Sequence, residues 1–303
     1  MKTQKIYGMD ASRIALGAMR YADKGVKHVT ELIESASELG YNLFDHADIY
    51  GGGEAESVFG EALAKSSVKR EDLILQTKCG INQGIYNFDP EYIVQQTEQS
   101  MKRLRTDYLD ILLLHRPDTL MEPEGVGEVF ARLKKEGKVR HFGVSNFNPL
   151  QIDMLQAHAD EKLAVNQVQI SLEHSLIFDE ELNFNLRTAE GTNSSGYLLS
   201  YARLNGMTLQ AWSPLQYGFI EGDFIRNPQH KELADKLEEL AKKYDATPAA
   251  IALAWLLRHP ANIQPILGST SVQHITEAVR AQEIELTRRE WYELYLAGGK
   301  RLP

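Results

Sequence analysis

The chain has 303 residues, 43% hydrophobic and 25% charged, which supports one large or two smaller globular units with a sizeable core. Its formal net charge of −9 argues against a surface built for nucleic acid. Its one cysteine, Cys79, excludes an intramolecular disulfide and disfavours a thiolate metal site. No apolar run approaches the ~18 residues of a membrane span. The start, Met-Lys-Thr-Gln-Lys-Ile-Tyr, lacks the apolar centre of a signal peptide, so a soluble cytoplasmic protein is expected.

Apolar runs of strand length alternate with amphipathic stretches of helix length. Ala15-Leu16 predicts a short first strand, and Val26 to Leu39 a helix stopped by Gly40. Tyr41 to Phe44 leads into Asp45, and Glu54 to Lys65 is helical. Leu73 to Lys78 predicts a strand, Pro90 to Leu104 a helix opened by Asp89-Pro90, and Leu109 to His115 the next strand. A helix over Pro123–Glu136, a strand from Val139 to Val144 and a helix from Asn148 to about His158 follow. Then come a strand over Ala164–Ile170, an interrupted helical stretch over Phe178–Asn205 and a strand over Met207–Trp212. Helices over Lys231–Tyr244 and Pro248–Arg258, a strand over Ile263–Leu267, a helix from Thr270 and a last helix capped by Thr287 complete the chain. Glu190 to Gly196 is expected to be a surface loop. Parallel strands need such crossovers, and eight in succession predict one α/β domain over residues 1–303. Its fold would be a (β/α)8 TIM barrel with extra C-terminal helices and mouth loops, and its site would lie at the strand C-terminal ends. The rival, an open doubly wound sheet, is disfavoured because no Gly-x-Gly-x-x-Gly turn follows an early strand.

Three of the strands end on ionisable groups. Asp45 ends the second, Lys78 the third and His115 the fourth, with Tyr50 in a glycine-flanked loop just past Asp45. In a barrel these ends face one mouth. A phenol titrates near ~10, and an ammonium beside it favours the phenolate. At ~4 Å and an effective dielectric of ~20 that charge is worth roughly 4 kcal/mol, about three pKa units. Lys78 is therefore expected to bring Tyr50 near neutrality, with Asp45 holding Lys78 charged and His115 donating to a carbonyl oxygen. Such a set can polarise and protonate a carbonyl but carries no electrons.

Several longer stretches resemble the aldo-keto reductase superfamily over nearly the whole chain. They are Leu43-Phe-Asp-His-Ala-Asp-Ile-Tyr-Gly51, Thr77-Lys-Cys-Gly80, Leu112-Leu-Leu-His-Arg-Pro-Asp118, Gly137 to Phe147, Val165-Asn-Gln-Val168 and Trp212-Ser-Pro-Leu215. Within the superfamily the chain is most similar to bacterial reductases of the YdhF type. The resemblance implies an NADP-dependent reductase of a small-molecule aldehyde or ketone, with Tyr50 as proton donor, Lys78 tuning it, Asp45 orienting Lys78 and His115 positioning the carbonyl. It implies that Ser145, Asn146 and Gln167 hold the nicotinamide carboxamide, an amide that needs both donors and acceptors. Trp212 would stack on the nicotinamide, and Ser213, Pro214 and Leu215 would run along the pyrophosphate. Gly268, Ser269 and Thr270, expected to open a helix, would form the adenosine phosphate pocket. His274 falls where many members carry arginine, Glu277 matches a position near the adenine amino group, and Ala278 one where asparagine is common. NADP(H) is implied, with NAD(H) open because histidine is a weaker phosphate partner than arginine. The alternative is a redox-sensing subunit that binds the cofactor and turns over slowly; a barrel sugar-phosphate isomerase keeps the fold without a cofactor.

The remaining candidates are expected to be structural. No metal is implied at His46, Asp48 and Glu54, Cys79 should be a buried thiol, and Trp291, Tyr292 and Tyr295 should pack the last helix. Tyr21, Tyr86 and Phe219 are expected at the substrate mouth. No membrane or nucleic-acid partner is expected, and no feature sets an oligomeric state.

Overall fold

In the computed structural model, residues 1–189, 191–218 and 221–302 are described. Eight strands close into a barrel: β1 (Ala15–Gly17), β2 (Leu43–Asp45), β3 (Ile74–Cys79), β4 (Leu109–Leu114), β5 (Val139–Ser145), β6 (Val165–Gln169), β7 (Thr208–Trp212) and β8 (Gln264–Leu267). Every neighbouring pair is parallel and follows chain order, and the ring closes where Ile266 pairs with Ala15 and Leu267 with Leu16. The crossovers carry α1 (Val26–Glu38), α2 (Glu54–Lys65), α3 (Pro90–Leu104), α4 (Pro123–Lys135), α5 (Pro149–Gln156), α6 (Leu176–Leu182), α7 (Leu198–Asn205), α8 (Lys231–Tyr244) and α9 (Pro248–Leu257). Past the last strand lie α10 (Val272–Val279) and α11 (Arg288–Ala297). No helix among the described residues is long and apolar enough to cross a membrane.

Local chemistry explains where the elements begin. The Asp89 side chain accepts from the amides of Glu91 and Tyr92 with Pro90 at the first turn of α3. Asn148 and Gln151 form a reciprocal capping box at α5, as do Thr287 and Glu290 at α11. Each such cap is worth about 1 kcal/mol. The stretch expected to be mostly helical over Phe178–Asn205 is helical only in α6 and α7, and the start of α10 also differs. The helix expected from Thr270 starts at Val272, because the Ser271 side chain accepts from the His274 amide and leaves residues 268–270 as loop.

Two short hairpins were not legible in the sequence. The first, Thr3–Ile6 with Met9–Ser12, plugs the floor of the barrel. Its Ile6 and Ala11 are buried in one cluster with Ala15, Leu43, Ile74, Ile111, Leu113, Val165 and Ile266. The second pairs Ile81–Asn82 with Ile85–Tyr86 beside the mouth. Above the apolar floor, the interior turns polar. Gln210 donates to Gln76 and Gln264 at 3.1 and 2.9 Å, and Gln76 and Gln167 donate back to it at 2.8 and 3.1 Å. These buried amides satisfy one another, as a water-free interior requires. Outside the barrel, Trp255 of α9 stacks on Trp291 of α11 at 4.8 Å, and each indole N–H donates to the other residue's carbonyl at 3.0 Å. The C-terminal aromatic residues thus pack their helix, as expected.

Candidate active site

The loop after β2 aims Tyr50 at the mouth. Tyr50–Gly53 makes a short 3-10 turn, and Gly51, Gly52 and Gly53 all have positive φ, at 59°, 65° and 95°. Only glycine adopts three such residues in succession without strain. The turn runs into α2, whose buried Glu56 accepts from Thr77 Oγ1 at 2.6 Å and from Arg103 Nε at 2.7 Å. That network ties the Tyr50 loop to β3, next to Lys78.

Lys78 and Asp45 form an ion pair inside the barrel, 1% and 2% exposed. Lys78 Nζ donates to both Asp45 oxygens at 2.8 Å and to the His46 carbonyl at 2.7 Å. Asp45 Oδ1 also accepts from Gln76 at 2.6 Å and Gln167 at 2.9 Å. A buried pair is held only when its remaining donors and acceptors are satisfied, and this one is. The ammonium lies 5.2 Å from the Tyr50 ring centroid. Across the same space the His115 ring meets Tyr50 edge-on at 6.2 Å. The four residues expected to converge do so.

The balance of charge differs from the sequence expectation. Burial pushes the Tyr50 phenol up, Lys78 opposes it and Asp45 adds to it, with a net result above 10.0. The expected near-neutral phenol is therefore corrected: burial outweighs the ammonium, whose effect Asp45 partly offsets. Burial works against the Lys78 charge, but Asp45 and Tyr50 outweigh it and raise the pKa. Burial, Lys78 and Arg116 hold His115 well below the usual imidazole range, so it is neutral at pH 7.

A cavity of about 830 Å³ opens over these groups. Gly17, Asp45, Tyr50, His115, Ser145, Asn146, Gln167, Trp212, Ser213, Pro214, Leu215, Gly268, Ser269 and His274 all line it, which places it at the strand C-terminal ends. Asn146 donates to Ser145 Oγ at 2.8 Å and accepts from Trp212 Nε1 at 3.1 Å, while Ser145 Oγ donates to the Gln167 carbonyl at 2.7 Å. Thr270 and Glu277 do not line the cavity. The Thr270 carbonyl is bonded to His28 and Glu277 accepts from Gln273 on α10. Ala278 is buried.

The chain matches the Aldo/keto reductase family over residues 13–295. It is 37% identical to Oxidoreductase YdhF of Escherichia coli, over 95% of this chain and 93% of that one. It is 33% identical to a 6-dehydroglucose reductase of Agrobacterium fabrum, over 97% of each. Its fold matches an aldo/keto reductase from Klebsiella pneumoniae crystallised with NADP and acetate (TM-score 0.77, 24% identity, 97% and 94% covered).

The chain belongs to the aldo/keto reductase family.

Within this aldo/keto reductase, other expectations fall elsewhere. Tyr21 is wholly buried against Phe59 and is not a mouth residue. Tyr86 is exposed on the second hairpin, and Phe219 lies outside the described residues. Cys79 is buried, and burial with the Asp48 and Glu56 charges pushes its thiol well up. His46 is buried with its ring edge-on to Phe59 at 4.5 Å, and neither its ring nitrogens nor the buried Asp48 carboxylate has a hydrogen-bond partner among the described residues. Burial and Lys78 hold His46 near about 3, while burial and Glu56 push Asp48 up to about 7. Two cations that line the mouth were missed: Arg20, bonded to the Gly268 carbonyl at 3.0 Å, and Arg116, beside His115. Their signal was position alone, since each stands just past the end of a strand.

Proposed function

We propose that this oxidoreductase reduces the carbonyl of a small aldehyde or ketone with NADP(H), Tyr50 giving the proton. The observation that carries the reading is the convergence of Tyr50 and His115 over a buried, fully bonded Lys78–Asp45 pair. The donor set suits the cofactor. Ser145, Asn146 and Gln167 offer the mixed donors and acceptors that a carboxamide needs, beside the Trp212 ring. Ser213, Pro214 and Leu215 continue toward Gly268 and Ser269. Arg20 brings a permanent positive charge for phosphate to the end where His274 stands in for arginine. When bound, NADP(H) supplies a hydride to the carbonyl carbon.

The residues then manage one proton. A phenol above 10.0 holds its proton at neutral pH, so Tyr50 is loaded before reaction. As negative charge builds on the carbonyl oxygen, that oxygen becomes the stronger base and takes the proton. The tyrosinate left behind lies next to the Lys78 ammonium, which favours it over a tyrosinate in an apolar wall. Lys78 therefore acts on the product of the proton transfer rather than by making a free phenol acidic. Asp45 keeps that ammonium charged and aimed. Neutral His115 has one N–H to give the carbonyl oxygen, and orients it toward Tyr50.

No observation favours the sensing alternative. Mixing the protein with NADPH and a panel of aldehydes and ketones tests the reading. Steady loss of the reduced-cofactor absorbance is expected; cofactor binding with no turnover of any carbonyl would overturn it.

A further inference from the structure

We propose that Arg116 recognises substrate, and that the favoured carbonyl compounds carry a carboxylate at the end remote from the reacting carbon. This rests on the reductase reading and gives that site its substrate class. Arg116 follows His115 off the end of β4 and lines the mouth together with Ile49, Tyr50, Ile81 and Trp212. Its Cζ stands 5.7 Å from the Trp212 ring centroid, within cation–π range. Its charge acts on the phenols of both Tyr86 and Tyr50, so it stands within electrostatic reach of the proton donor.

Ile49 and Ile81 give apolar surface to the same cavity, whose lining also includes Glu221 and Asp223. A molecule bound in the cavity can meet both those isoleucines and the Arg116 guanidinium. Guanidinium forks match carboxylates with two parallel hydrogen bonds, and Arg116 is half-buried beside the indole. The chain as a whole repels anions, with a formal charge of −9. A local cation at the mouth offsets that field where an acidic substrate must enter. With the carbonyl oxygen between Tyr50 and His115, a planar or apolar spacer along the isoleucines would bring the far carboxylate to Arg116.

The test compares 4-carboxybenzaldehyde with benzaldehyde, taking the ratio of their kcat/KM values. That ratio cancels whatever Arg116 does for Tyr50 or for cofactor binding. The wild-type protein should favour the carboxylate at least about tenfold. Arg116→Gln and Arg116→Met should each cut the ratio by about 10- to 100-fold, the worth of a lost charge-assisted hydrogen bond. Arg116→Lys should keep part of it. A wild-type ratio near one, or an equal fall for both aldehydes in the variants, would overturn the proposal and leave Arg116 a brace for Trp212. Binding of 4-(hydroxymethyl)benzoate against benzyl alcohol, read by tryptophan fluorescence, separates the two claims. If no carbonyl turns over, the reductase reading fails, yet a binding preference that disappears in Arg116→Met still upholds anion recognition. No preference overturns it.

Discussion

Replacing Lys78 by Met removes a charge from two interactions at once, and they can be measured apart. The first is the ion pair. Asp45 would remain inside the barrel with Gln76 and Gln167 as donors but no cation, and stranding one partner of a buried pair costs about 3–5 kcal/mol. The second is the field on Tyr50. At 5.2 Å and an effective dielectric of about 20, the ammonium is worth about 3 kcal/mol to a tyrosinate, part of which Asp45 already cancels. Loss of the remaining 1–3 kcal/mol, roughly, slows proton delivery by about 10- to 100-fold or more. Urea unfolding followed by circular dichroism reads the first effect. Single-turnover oxidation of NADPH with an aldehyde reads the second. Adding Asp45→Asn to Lys78→Met removes the stranded charge and should restore most of the stability but none of the rate. A double variant that stays as unstable as the single one, or that recovers turnover, would refute this division of roles.

Other expectations follow from the same geometry. His115→Phe should lower kcat for carbonyl reduction about 100-fold while cofactor affinity, measured by fluorescence, changes little, because the ring faces Tyr50 and the substrate space. Asp48 titrates at about 7 when folded and near ~3.8 when unfolded. The folded state binds its proton more tightly, so Asp48 contributes stability that is complete below pH ~3.8 and lost as pH rises through 7. Asp48→Asn removes that contribution. Its stability in urea should therefore fall relative to wild type by about 1.4 kcal/mol per unit as pH drops from 7 to 4, opposite to the buried His46. Parallel pH profiles would contradict the burial argument. Gly127→Ala should destabilise by several kcal/mol in thermal unfolding, although alanine favours helices, because its Cβ would run into the His158 carbonyl oxygen.

The fold was legible where patterns were long. The strands ending in Lys78 and His115 are apolar-rich runs between amphipathic helices, and each landed within a residue of its place. The N-terminal hairpin was not legible because Thr3–Ile6 and Met9–Ser12 are short and mostly polar, and their apolar side becomes visible only against the barrel floor. The convergence of Asp45, Lys78 and His115 was legible from strand position, since strand ends face one mouth, whereas that of Tyr50 depends on the glycine turn past Asp45. The acidity of Tyr50 was not. A sequence shows that an ammonium is present, but not how deeply the phenol is buried or how completely a carboxylate consumes the charge. Tyr21 failed for the same reason: burial is a tertiary quantity. Gln76, Gln210 and Gln264 acquire meaning only as a bonded layer that reaches Asp45.

The phenol's role is tested most directly by Tyr50→Phe, which deletes one oxygen and leaves the ring against His115. Rapid mixing of the cofactor-loaded variant with an aldehyde should show NADPH still bound, with its oxidation slowed by about 100- to 10,000-fold. Oxidation at the wild-type rate would mean that the proton comes from another group, and that the assembly around Lys78 serves some other end.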